Sequence, residues 1–112
     1  PALFEALGRA RCDVIAIPAA FTRPTGAAHW HVLQRARAIE ASAFVVAAAQ
    51  AGRHEDGRET YGHSLVIDPW GDVLLDMGGE GGSLAFAEID PARIASVRAQ
   101  LPSLFNKRPI RQ

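Results

Sequence analysis

Apolar residues recur along this chain in two rhythms, and the changes between them mark out the elements. Over residues 1–11, Leu3, Phe4 and Leu7 share one face at helical spacing, and Pro1 suits a first turn. Residues 13–19 (DVIAIPA) are a nearly continuous apolar run, the pattern of a short strand buried on both faces and ended by Pro18. A loop at 21–26 leads into a helix predicted from Thr25 or Gly26 to about Ala41. Val32, Ala36, Ile39 and Ala43 form its expected core stripe, with Leu33 beside them. Residues 43–50 (AFVVAAAQ) predict a second buried strand. Strand, helix and strand over this length make a βαβ unit with parallel strands.

Residues 51–62 are polar and predict a loop. Residues 63–68 and 72–77 flank Pro69-Trp70-Gly71, the pattern of a hairpin. Four glycines around Glu80 predict a mobile connection, and residues 83–89 a further strand. Asp90-Pro91 caps and opens a last helix with Ile94, Val97 and Leu101 inward, followed by an irregular tail over 104–112. The fold class is therefore α/β, with about five strands and three helices in one unit spanning 1–112. Three helices cover one face of such a sheet but not two. The sheet needs a second layer from elsewhere.

Composition narrows the function. The 112 residues are 48% hydrophobic and 21% charged, as in ordinary globular chains. Twelve basic and twelve acidic residues cancel, which argues against nucleic acid or an acidic membrane as partner. No run approaches the roughly 20 apolar residues of a membrane helix. No signal peptide is visible, and the one cysteine cannot form an internal disulfide; both point to the cytoplasm. The chain holds a single lysine, Lys107, so a mechanism needing a buried lysine must find it elsewhere.

Most candidate chemistry has a plainer reading. His29 and His31 lie about 200° apart around a helix, and no zinc motif joins them to His54, His63 or Cys12. His63 and Ser64 are adjacent on a strand, face opposite sides, and lack a GxSxG context. Cys12 has Arg11 beside it but no evident base, and reads as a packing residue. The glycines at 78–82 lack the Lys-Ser/Thr of a phosphate loop. Arg37 and Glu40 are spaced to pair, and Arg35 is placed to reach a carboxylate on another element. Position favours one region. Ala20, Phe21 and Thr22 follow the carboxyl end of the first strand, where ligands gather in open α/β sheets, and Trp30 follows in the next helix. A substrate wall and a packed loop fit these residues equally well.

The same region carries a signature. Pro18-Ala19-Ala20-Phe21-Thr22, Thr25-Gly26, Ala28-His29-Trp30, residues 35–40 (RARAIE), Tyr61-Gly62-His63-Ser64 and residues 66–71 (VIDPWG) resemble, in order, the Nit-type amidase branch of the nitrilase-superfamily carbon–nitrogen hydrolases. Leu101-Pro102 and Lys107-Arg108 extend the resemblance to the tail. It implies the C-terminal half of an α-β-β-α sandwich that cleaves a small linear amide, of the ω-amide or deaminated-peptide type, without metal or cofactor. The implied chemistry is a cysteine thioester mechanism with a glutamate base and an oxyanion-stabilising lysine. All three residues are expected upstream of Pro1, so neither Cys12 nor Lys107 inherits a role and these residues alone are expected to be inactive. The resemblance places Ala20, Phe21 and Thr22 beside the substrate, makes Trp30, Arg35, Arg37 and Glu40 structural support, and implies a homodimer of the full-length protein. The alternative is a non-catalytic module, or a split-enzyme half, that binds a partner through its uncovered sheet.

Overall fold

The computed structural model describes residues 1–110. Helix α1 (Ala2–Arg9) leads into β1 (Val14–Ala16). A single helical rod follows in three parts: a first turn α2 (Arg23–Thr25), a π-helical stretch (Gly26–Trp30) and α3 (His31–Ala41). Then come β2 (Phe44–Ala47), the short pair β3 (Ala51–Arg53) and β4 (Glu59–Tyr61), and the hairpin β5 (Leu65–Ile67) and β6 (Val73–Asp76). Helix α4 (Pro91–Gln100) and a turn of helix α5 (Ser103–Asn106) complete the order.

The main sheet runs β1-β2-β5-β6, with β1 and β2 parallel as expected of a βαβ unit, and β5 and β6 antiparallel to their neighbours. Ile15, Val45 and Ile67 lie side by side across three strands and are almost fully buried. With Ala47, Leu65, Trp30, Ala38 and Ala41 they form the core between the sheet and α3, and Phe4 and Leu7 of α1 pack on its margin. The opposite face is thinly covered. Arg93 and Arg98 tie α4 to Asp68 and to the backbone of Cys12 and Ser42, and Ile94 and Val97 are buried. Yet Val14 and Ala16 are exposed. The molecule is a slab of 47 × 38 × 19 Å. Its radius of gyration of 15.3 Å exceeds the roughly 13 Å expected for a compact chain of this length. On the thinly covered face β1 is left open, while Phe44 and Val66 of its neighbours are buried.

Several expectations are corrected. The strand expected at 13–19 is three residues long and alternates exposed, buried, exposed, because Pro18 interrupts the ladder and nothing covers its second face. The core stripe of α3 is rotated: Val32 is 62% exposed and Ile39 40%, whereas Trp30, Gln34, Ala38 and Ala41 face inward. The small alanines let the helix approach the sheet closely, a term that hydrophobicity alone does not count. Residues 51–62 form β3 and β4 rather than a bare loop. Residues 83–89 join no ladder, and Leu84 and Phe86 stand 81% and 85% exposed, because no strand among the described residues pairs with them. Leu101 is 46% exposed, and part of the tail is the helical turn α5. Arg111 and Gln112, the end of the predicted tail, lie outside the described residues.

Candidate functional site

The parallel pairing of β1 and β2 brings their carboxyl ends together, and the chain beyond them continues the register. Ala19 bridges Ala49, and Gln50 donates its N–H to the Ala19 carbonyl at 3.0 Å. Beyond these ends lies a cleft of about 350 Å³, walled by Pro18, Ala19, residues 48–51, His63, Ser64 and the glycine-rich segment from Met77 to Ser83. This is where an open α/β sheet holds its ligands.

The sequence-predicted residues border this cleft rather than line it. Ala20 is exposed, and Phe21 turns away to pack on Trp30, with ring centroids 5.0 Å apart. The Phe21 carbonyl accepts from Tyr61 N–H at 2.9 Å. Thr22 precedes α2, shares a hydrogen bond of 2.8 Å with the Thr25 hydroxyl and bridges Thr60. Trp30 is 1% exposed and donates its indole N–H to the His63 carbonyl at 2.7 Å. Arg37 pairs with Glu40 at 2.6 Å and lies over the Phe4 ring. Among the described residues Arg35 meets no carboxylate; its Nε donates to the Gly71 carbonyl at 2.8 Å, fastening α3 to the β5–β6 turn. Ser64 Oγ accepts from Ala49 N–H at 3.0 Å.

Burial pushes the Cys12 thiol up; Arg98 pulls the other way without cancelling it, so the group stays protonated and poorly nucleophilic.

The sequence reading missed one constellation. His31, at the start of α3, and His63, between β4 and β5, converge on Asp76 at the end of β6. His31 Nε2 lies 2.7 Å from one carboxylate oxygen and His63 Nδ1 2.8 Å from the other, which also accepts from Gly78 N–H at 2.9 Å. Burial works against the Asp76 charge, but the hydrogen bonds from His31, Gly78 and His63 outweigh it and hold the carboxyl below its usual range. His63 has φ +58, a conformation rare outside glycine. It is fixed there by its N–H on the Gly78 carbonyl at 2.7 Å, by the Trp30 bond to its own carbonyl, and by a stack on Tyr61 at 4.2 Å. The residue also lines the cleft. No spacing rule announces residues 31, 63 and 76 as neighbours; only the β2–β5–β6 pairing under α3 brings them together.

Comparison with known proteins agrees with this geometry. Residues 2–99 match the model of the carbon–nitrogen hydrolase family. The chain is 52% identical over 107 residues to the deaminated glutathione amidase of Synechocystis sp., covering 96% of this chain and 39% of that protein. It is 48% identical over 109 residues to the human protein of the same name, covering 97% of this chain and 33% of that one. Among solved structures, the C. elegans NitFhit protein superposes with a TM-score of 0.85 at 42% identity, over 94% of this chain and 26% of that one. Saccharomyces cerevisiae Nit3 gives 0.83 at 35% identity, over 91% of this chain and 37% of that one. The chain thus spans 33–39% of the length of these curated relatives. Shared order of motifs, shared fold and this identity together place the chain in the carbon–nitrogen hydrolase family.

Proposed function

We propose that residues 1–112 form the C-terminal half of a carbon–nitrogen hydrolase domain whose whole protein is an amidase. Its substrate is a small linear amide of the ω-amide or deaminated-peptide type. The observation that carries this reading is the near-50% identity, along almost all of this chain, to proteins called deaminated glutathione amidase. Nucleophile, base and oxyanion lysine belong to sequence preceding Pro1. The cysteine thiolate attacks the amide carbon, and the C–N bond breaks as the amine leaves with a proton. Water then cleaves the thioester, releasing the acid and restoring the thiol. The turn of Ala20, Phe21 and Thr22 flanks the substrate, with Trp30 packed behind Phe21, and Arg35, Arg37 and Glu40 are structural support for the scaffold.

The exposed alternation at 83–89 and the exposed outer face of β1 supply the seam for a further layer. Val32, Leu33 and Ile39, exposed on α3, offer apolar surface for a homodimer. A cytoplasmic location is consistent with the lone free Cys12. Among the described residues, no helix is long and apolar enough to cross a membrane.

The test is acid release from deaminated glutathione and from a simple ω-amide, followed by mass spectrometry on the natural full-length protein. Hydrolysis that survives Cys12→Ser and is absent from residues 1–112 alone is the expected result. A folded full-length protein that cleaves neither substrate, or activity lost on Cys12→Ser, overturns the reading.

A further inference from the structure

We propose that His31, His63 and Asp76 form a binding site for one divalent transition-metal ion, with zinc the closest match to the donor set. The ligand atoms are two imidazole nitrogens and a carboxylate oxygen, all within 4.8 Å of one another. Two histidines and one carboxylate are a borderline-soft set that favours zinc and its neighbours over magnesium or calcium.

Charge pairing sets this carboxylate apart. Among the described residues, every other ion-paired carboxylate has an arginine or lysine as partner: Glu5, Asp13, Glu40, Asp56, Glu59, Asp68 and Asp72. Asp76 alone is paired only with imidazoles. With both rings neutral, the cluster carries one negative charge and no permanent counter-charge. That is the electrostatic condition a divalent cation satisfies.

Geometry supplies the rest. A tetrahedral zinc with bonds of about 2.0–2.2 Å spaces its donors about 3.4 Å apart, so the widest pair needs to close by at most about 1.4 Å from its 4.8 Å limit. His31 and Asp76 are each about one-third exposed, which gives an ion a route in. His63 is the fixed member, locked by Trp30, Gly78 and Tyr61 as described above. Gly78 N–H on the Asp76 carboxylate acts as the outer contact that orients a metal-binding carboxylate. The two histidines need not lose charge. Each neutral ring moves its proton from the nitrogen facing Asp76 to the far one, His31 Nδ1 or His63 Nε2, and offers the freed lone pair to the metal. Three protein ligands leave at least one coordination position open, beside the cleft that His63 lines.

The experiment uses the natural full-length protein, untagged, carrying Cys12→Ser to remove the competing thiol, and stripped with a chelator. It is titrated with Zn²⁺ against a fluorescent competitor and separately with Co²⁺, read by its visible absorption. One ion per chain is expected, with binding weakened about 100-fold or more by Asp76→Asn or His63→Gln, and at least about tenfold by His31→Gln. Folding of each variant is checked by circular dichroism. Independently of any variant, long-range ¹H–¹⁵N spectra of the wild type should show the proton leave His31 Nε2 and His63 Nδ1 when zinc is added. A folded wild type that takes up no stoichiometric zinc overturns the proposal. So does uptake that survives His31→Gln combined with His63→Gln, or ring protons that stay in place. None of these readouts depends on amidase activity, so failure here leaves the amidase reading standing.

Discussion

Gly26→Ala sets two opposing effects against each other, and the structure decides between them. Gly26 sits at the start of the π-helical stretch, is buried, and has ordinary helical φ and ψ of −62° and −47°. On backbone grounds alone, alanine stabilises a helix by about 1 kcal/mol relative to glycine. Packing says otherwise. A methyl group here would lie 2.3 Å from Tyr61 Cβ, 2.4 Å from Cγ and 2.7 Å from Cδ1. The nearest of these is backbone-anchored, so no side-chain rotation relieves it. Ordinary contact begins near 3.4 Å, so rod and strand must separate by about 1.1 Å. Tyr61 cannot give way freely, because its N–H holds the Phe21 carbonyl and its ring stacks on His63.

Overpacking this severe costs about 3 kcal/mol, the upper end of the usual range, leaving a net loss of about 2 kcal/mol after the propensity gain. Urea denaturation of the full-length protein, followed by tryptophan fluorescence, measures it. Ala27→Gly, one residue along on the exposed side, reports the propensity effect alone and should cost about 1 kcal/mol. A Gly26→Ala protein as stable as wild type, or more so, would refute the close approach of helix and β4.

Other perturbations test separate parts. Asp68 is 4% exposed; its carboxylate accepts the N–H groups of Trp70 and Asp72 and the Nε of Arg93, each at 2.9 Å. Asp68→Ala should cost about 3–5 kcal/mol, and Asp68→Asn, which keeps the turn acceptor, about 1–3 kcal/mol; equal denaturation midpoints for the two would contradict this. Because burial raises the Cys12 thiol, less thiolate is present in the folded protein at any pH below that raised value. Any linked stability is full below the unfolded thiol's value and fades as pH climbs through the folded one. Iodoacetamide at pH 8 should therefore alkylate the native protein more slowly than the urea-unfolded one, and equal rates would remove the burial argument. Gln34 is 5% exposed and its side-chain carbonyl has no partner among the described residues. Gln34→Met should be neutral or stabilising by about 1 kcal/mol, whereas a loss above that would mean the carbonyl has a partner in the full-length protein.

The parts of this molecule legible in its sequence are those set by local chemistry. Asp90-Pro91 marks a helix start because a carboxylate cap and a missing N–H both suit that position, and Asp90 does accept from Ala92 N–H at 2.9 Å. Pro69-Trp70-Gly71 marks the β5–β6 turn, and the Arg37–Glu40 pair follows from three-residue spacing. The inner face of α3 was not legible, since the outer stripe carries the larger apolar side chains while the inner one holds Gln34, and only the sheet's close approach selects the alanines. The Asp76 cluster was hidden for a related reason. Its members are 32 and 13 residues apart in sequence, on a helix start, a left-handed connection and a strand end, and no local rule couples three such places. The family signature pointed to Ala20, Phe21 and Thr22, which border the cleft rather than line it. It did not show that the cleft beside them is closed by Gln50, His63 and the glycine segment, which only the parallel register of β1 and β2 brings together.

Three oddities of the fold share one physical cause. Residues 83–89 alternate large and small as a strand does, yet pair with nothing; Val14 and Ala16 face solvent; and the cleft is open on one side. Each is a surface patterned for a neighbour. Burying Leu84 and Phe86 would contribute about 1.5–3 kcal/mol apiece, and pairing the extended backbone would satisfy a row of otherwise solvated N–H and carbonyl groups. A chain selected to stand alone would cover or charge such an edge, whereas this one leaves Phe86 85% exposed on it. A layer laid over that face would occupy the seam, cover β1 and wall the cleft in one step. On the amidase reading proposed above, the half-formed cleft and the open flank of β1 are a single feature, completed by whatever layer brings the catalytic residues.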